Sequence, residues 1–213
     1  MRLPHHPDRV AALRLPTRAD PWRVLISGCL AGFPVAIDGT SYGMSLDGAP
    51  WLRSPRIRLV PTCPEHLGIG TPRGMPDFHG GDGFAVLDGA ARVLDEHGND
   101  RTDAMLRGAT VARELAVRER VDFALLTDRS AACGSQVISV GCRYDEPVDH
   151  RKGVGVLTAM LLRAGIDVVS QRDHATLARL RAKVEPGFVP DEGLVDHHQH
   201  PWVVEHLDGR SSG

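Results

Sequence analysis

Four short apolar stretches set the terms for this fold. They fall at residues 24–26, 57–60, 123–126 and 166–170, each too short for a buried helix and without helical period. They read as strands over 23–27, 56–60, 121–127 and 166–170, with a further short strand at 136–140. Between them lie segments of different rhythm. Met105, Ala109, Ala112, Leu115 and Ala116 recur three and four residues apart, after N-cap candidates at 99–102. That helix is predicted to end near Arg120. A second covers 153–164, with Val156, Leu157, Met160 and Leu161 apolar and Gly165 as its stop, and a third covers 174–183. Strands alternating with helices predict an α/β fold, a mainly parallel sheet flanked by helices. In such sheets ligands bind beyond the carboxyl ends of the strands.

The remaining segments are less regular. Residues 8–15 predict a short helix stopped by Pro16, and Trp22 is a candidate anchor for that extension. Residues 33–48 read as a loop carrying the turn signal Ile37-Asp38-Gly39. The glycines and prolines between 68 and 77 exclude regular structure there. Residues 84–87 and 92–95 flank Asp88-Gly89 and predict a hairpin. The expected organisation is an extension over 1–22, an α/β domain over 23–173, and a helix with a His- and Pro-rich tail over 174–213. Ser211-Ser212-Gly213 reads as a remnant of preparation. In the tail, Asp196, His197, His198, His200 and His206 could bind a metal, although a solvated tail is the plainer reading.

Bulk properties narrow the partners. The formal net charge is −2 over 213 residues, so no electrostatic argument favours nucleic acid or a membrane surface. No apolar run approaches the roughly 18–20 residues of a membrane-spanning helix. The first twenty residues lack the apolar core of a signal peptide, so a cytoplasmic location is expected. There the four cysteines are expected to stay reduced.

Three of those cysteines share a context. Cys29, Cys63 and Cys133 each follow a predicted strand, in Gly-Cys-Leu-Ala-Gly, Thr-Cys-Pro-Glu and Ala-Cys-Gly-Ser. Three thiolates in one crevice suit an iron–sulfur cluster with one iron open, or a zinc with one open position. Three unrelated buried cysteines fit the spacing as well, because no CxxC is present. Cys142, in Val140-Gly141-Cys142-Arg143, is expected to be structural. Arg73 is a candidate clamp for an anionic or carbonyl group of a substrate. Asp38 is either a turn former or a second substrate contact. Gly153-x-Gly155 could cradle an anion at a helix start, or serve helix–sheet packing.

Four blocks, in order, resemble one family. They are residues 24–32 with Asp38-Gly39, residues 60–65 with Leu67-Gly68 and Thr71-Pro72-Arg73, residues 129–135, and residues 153–159 with Gly165-Ile166. This set is similar to the thiouracil desulfidases, over roughly residues 23–173. The resemblance implies a [4Fe–4S] cluster bound by Cys29, Cys63 and Cys133, with its fourth iron open to substrate sulfur. The implied reaction is non-redox removal of sulfur from a thiolated pyrimidine base or nucleoside, giving sulfide and the oxo-product. Glu65 is then the first candidate for general base, and Ser130 for orienting water or substrate. Departures from the family's usual pattern fall at Ile37, Thr127, the Ser130-Ala131-Ala132 triplet and Gln171. They alter the pocket wall and leave the cysteines in place. A three-cysteine zinc hydrolase and a non-catalytic iron–sulfur or sulfur-binding protein are the rival readings. The oligomeric state is left open.

Overall fold

The computed structural model describes residues 4–41, 43–145 and 147–207. In chain order its elements begin with helix α1 (Pro7–Ala11), strands β1 (Trp22–Ser27) and β2 (Ile57–Thr62), helix α2 (Pro64–Gly68) and strand β3 (Asp77–His79). Helix α3 (Gly83–Leu87), strand β4 (Arg92–Leu94), helix α4 (Thr102–Arg118), and strands β5 (Phe123–Leu126), β6 (Val137–Val140) and β7 (Asp149–Lys152) come next. Helix α5 (Val156–Arg163), strand β8 (Val168–Ser170), helix α6 (His174–Val184) and helix α7 (Pro201–Leu207) complete the series. Ser211 to Gly213 lie outside the described residues.

The main sheet is four-stranded, in the order β2-β1-β5-β8, and every pairing is parallel. From β1 the chain goes to one side to make β2 and later to the other to make β5. The carboxyl end of β1 is therefore a topological switch point. Alternate side chains feed two cores, as in a sheet covered on both faces. Leu25, Ala124, Leu126 and Val168 pack with Met105, Ala109 and Ala112 of α4 and with Leu157 and Leu161 of α5. On the other face, Trp22, Val24, Ile26, Phe123, Leu125 and Val169 pack with Trp51, Leu52, Val10 and Leu180. Trp22 also donates its indole N–H to the Arg14 carbonyl at 2.9 Å, so it does anchor the N-terminal extension.

A second sheet, ordered β4-β3-β6-β7, is mixed, with β3 and β6 parallel and the outer pairings antiparallel. Here the structure departs from expectation. Residues 83–87 are helix α3 rather than half of a hairpin. The Asp82 carboxylate accepts from the Phe84 and Ala85 N–H groups and starts the helix. The partner of β4 is β3, which opens at the end of the glycine- and proline-rich stretch. Helix α1 ends at Ala11, short of the predicted 15.

Two glycines set the site's geometry. A Cβ on Gly108 of α4 would sit 2.0 Å from the Pro64 carbonyl oxygen, and one on Gly68 of α2 would sit 1.9 Å from that of Ala104. Helix α2 thus lies on α4 backbone against backbone, with no side chain between. Among the described residues, part of the C-terminal tail is docked rather than solvated. Val203 and Leu207 of α7 are buried against Val137, with Trp202 beside them.

Candidate functional site

The three strand-end cysteines face one space. Cys29, Cys63 and Cys133 all line one cavity of about 420 Å³ beyond the carboxyl ends of β1, β2 and β5. Glu65, Ser130 and Arg73 line it too, together with apolar Val35, Ile37, Met44 and Met75. Cys142 does not line it, and all four cysteines are free thiols.

Each ligand candidate is placed by local chemistry. Cys63 is the N-cap of α2: its sulfur accepts the His66 N–H at 3.4 Å, and Pro64 occupies the first turn where no donor is needed. Cys29 lies just beyond β1, with its sulfur 3.2 Å from the Thr127 hydroxyl. Cys133 lies in a tight loop. Ser130 Oγ accepts the N–H groups of Ala132 and Cys133, and the Ser130 carbonyl accepts that of Gly134. Behind this loop sits the start of α5. The N–H groups of Gly155, Val156 and Leu157 donate to the carbonyls of Gly134, Ala131 and Ala132. A Cβ at Gly155 would fall 2.3 Å from the Ala132 oxygen. Gly153-x-Gly155 therefore serves close packing: its amides hold the Cys133 loop and are not open to an anion.

Burial raises all three thiols above the ordinary range. Cys63 is pushed up to about 11 by burial and then by the Glu65 charge. Burial raises Cys29, Glu65 adds to the rise, and the Thr127 hydroxyl opposes it. Burial raises Cys133 well above the ordinary value, and its neighbour Cys63 adds to that. Dry thiols that resist ionisation beside one another are soft donors that a cationic inorganic centre would draw out as thiolates. Three such donors and no fourth cysteine fit a centre with one position left open.

Glu65 is held between two partners. Its Oε2 accepts from Arg73 Nε at 3.2 Å and Nη2 at 2.5 Å, and its Oε1 accepts the Ser130 hydroxyl at 2.9 Å. Both Glu65 and Arg73 are buried around the contact. The other terminal nitrogen of Arg73 donates to the Val35 and Gly70 carbonyls and the Thr71 hydroxyl. Arg73 is thus engaged as the support of Glu65 rather than open to a ligand. Asp38 does not line the cavity. It is exposed, its Oδ1 accepts the Thr40 N–H and hydroxyl, and it forms the turn.

Other lining residues had no role assigned from the sequence, although Thr127 stood out there as a departure from the family pattern. Thr127 reaches Cys29. Arg143 donates to Asp77 Oδ1 and to the Pro76 and Arg129 carbonyls. Asp128 and Arg129 also line the cavity, and both are met by the C-terminal segment. Of the tail's metal-ligand candidates, His197 is committed to Asp128 and His206 stacks on Trp202. His198 comes near Asp173 and Asp196, with candidate ligand atoms within 4.8 Å of one another. Those carboxylates already accept hydrogen bonds from Gln136, Ser170 and Thr176.

Three comparisons bear on this site. A family model described as 2-thiouracil desulfurase matches residues 24–173. An uncharacterized protein of Bacillus subtilis, YbbK, is 30% identical over 158 residues, covering 70% of this chain and 96% of the relative. A solved structure of a [4Fe-4S]-dependent thiouracil desulfidase, TudS, superposes with a TM-score of 0.61 at 34% identity, covering 74% of this chain and 95% of the other.

Proposed function

Because the chain belongs to the 2-thiouracil desulfurase family, we propose that it removes sulfur from a thiolated pyrimidine base or nucleoside. The reaction is non-redox: water adds at the thiocarbonyl carbon, the carbon–sulfur bond breaks, and the oxo-product and hydrogen sulfide leave with no net electron transfer. The observation that carries this reading is the convergence of three cysteine thiols from three strand ends on a cavity that also holds Glu65 and Ser130.

Cys29, Cys63 and Cys133 would hold a [4Fe–4S] cluster. When bound, it supplies a soft Lewis-acidic iron suited to a thiocarbonyl sulfur. The chain's own groups do the rest. The apolar side chains of Ile37, Met44 and Met75 offer a dry wall for a flat pyrimidine. Glu65 Oε1 has acceptor capacity beyond the one hydrogen bond it takes from Ser130, so it can receive a proton from the attacking water. Ser130 sets the direction of that carboxylate, and Arg73 fixes its other oxygen. With its oxygens tied on both sides, Glu65 keeps one rotamer, which is the pre-organisation a general base needs.

The test is anaerobic reconstitution with iron and sulfide, followed by sulfide release from 2-thiouracil, 4-thiouracil and 4-thiouridine. A brown protein that liberates sulfide and the oxo-base supports the reading. A colourless, zinc-retaining protein overturns it, and a brown protein inert toward all three compounds leaves binding without catalysis.

A further inference from the structure

The loop that carries Cys133 and Ser130 is curled around one buried carboxylate. Asp128 Oδ1 accepts the N–H groups of Arg129, Ser135, Gln136 and Val137, at 3.0, 2.9, 3.3 and 3.3 Å. Asp128 Oδ2 lies 3.3 Å from the Ser170 hydroxyl and 2.5 Å from His197 Nδ1. A carboxylate offers only acceptors, so His197 carries its proton on Nδ1 and donates it. Both side chains are buried, at 0% exposure for Asp128 and 4% for His197. Without His197, Oδ2 would keep only a distant hydroxyl in a dry site, and a poorly paired buried carboxylate is costly.

The same segment grips the loop at further points. The His197 N–H donates to Asp173 Oδ1, which also accepts Gln136 Nε2 at 2.6 Å. The Arg129 guanidinium lies 4.8 Å from the centre of the Trp202 ring, while Arg129 itself takes a left-handed backbone at φ 58°. Val203 and Leu207 close over Val137 at the loop's far end. His197, Trp202, Val203 and Leu207 all lie beyond residue 173, where the family match stops.

We propose that residues 196–207 are a buttress for the third-cysteine loop, with His197 as the positioning residue that acts through Asp128. The catalytic groups stay where the family motifs put them. The added segment fixes how firmly Cys133 and Ser130 are presented to the cavity. The value of this for turnover rests on the proposed desulfidase reading. The mechanical claim stands apart from it, and the experiment separates the two.

Two variants test it. His197→Ala removes the donor. His197→Asn restores one, because the Asn amide nitrogen falls close to the imidazole Nδ1 position. The first readout is residue-resolved alkylation of the cluster-free protein by iodoacetamide, followed by mass spectrometry. In His197→Ala, Cys133 is expected to react about tenfold faster, with Cys29 and Cys142 unchanged and the Asn variant returning most of the protection. A uniform rise at all cysteines, or no change at Cys133, overturns the proposal. The second readout is the rate at which a ferrous chelator strips iron from the reconstituted protein, expected to rise about fivefold in His197→Ala and to return toward wild type in His197→Asn. Stripping at the wild-type rate in His197→Ala overturns the proposal as well. If the wild-type protein takes up no cluster, the desulfidase reading falls, and the alkylation pattern still decides the buttress. If His197→Ala does not fold, Trp202→Leu takes its place, with the same Cys133-selective pattern expected and a flat pattern overturning the proposal.

Discussion

The Ser130 hydroxyl donates to Glu65 Oε1 at 2.9 Å across 65 residues of chain. The two residues reach each other from the ends of β5 and β2, on either side of β1, and they close the ring of groups around the three thiols. Ser130 also accepts the Cys133 amide at 3.0 Å. The base candidate and a cluster-ligand candidate therefore share one hydroxyl. Motion at either is felt by the other.

Replacing Glu65 by Gln keeps the shape and an oxygen for the Ser130 hydroxyl; it removes the acceptor for a proton and turns an amide NH2 toward Arg73, which loses its charge partner. Sulfide release is expected to fall by about 10² to 10⁴. Iron content and the visible spectrum of the cluster should stay as in the wild type. Equal turnover of the two proteins under anaerobic assay would remove Glu65 from the role of base.

Serine at Cys29, Cys63 or Cys133 should each abolish stable iron binding, because an alcohol is a far weaker donor than a thiolate for iron in this setting. Cys142→Ser should bind iron normally, since that thiol lies off the cavity lining. Iron and sulfide counted per chain after gel filtration decide the matter.

Arg73→Met leaves the Glu65 carboxylate buried without its charge partner. Breaking a buried pair this way costs about 3–5 kcal/mol, readable as a lower urea midpoint. Arg73→Lys should recover part of that and less of the activity. Lysine cannot place two nitrogens on Glu65 Oε2 as Nε and Nη2 of Arg73 do.

Stability should fall at acid pH through Asp95. Desolvation opposes its ionisation, but hydrogen bonds from Asn99, Arg101 and the His97 N–H outweigh it and hold the pKa down to about 2, against an ordinary 3.8. The unfolded chain therefore takes up this proton first as pH drops. The stabilisation is complete above about pH 4 and is lost between there and pH 2. Asp95→Asn should lower the thermal midpoint at pH 6 and show a shallower decline between pH 4 and 2.5 than the wild type. An unchanged slope in the variant would assign the acid sensitivity elsewhere.

Gly108→Ala places a methyl group where only backbone fits. Overpacking of this kind costs about 1–3 kcal/mol, and α2 must shift to relieve it. Since α2 carries Glu65 and is capped by Cys63, iron uptake should weaken as well. Gly48→Ala, at a site with open space around its Cβ position, is the control and should do neither.

Much of this was legible in the chain, and the parts that were not share a physical reason. The parallel strands β1, β5 and β8 announce themselves because strands buried on both faces are largely apolar runs, whereas the edge strand β2 is only half buried and shows through Ile57, Leu59 and Val60. The cysteines and Glu65 are legible because each follows such a run. Helix α3 was hidden: the run 84–87 is one turn long and fits either period, and only Asp82 two residues before Phe84 marks the start. Strand β7, Asp-His-Arg-Lys, has no apolar signal at all and exists through its pairing with β6. His197 reads as one histidine among several in a polar tail. Its role depends on Asp128, 69 residues away, and no local pattern carries that distance.

The glycine seam between α2 and α4 gives the pocket a fixed floor. Where two backbones touch, there is no side chain to exchange for a larger or smaller one, so the height of Cys63 and Glu65 above the sheet cannot drift by ordinary substitution. Adaptation toward a bulkier or differently shaped thiolated ring is left to the opposite wall. There Ile37, Met44, Met75 and Arg143 face the same space from loops. Libraries aimed at new sulfur compounds would be best confined to those four positions, with the two helices left untouched.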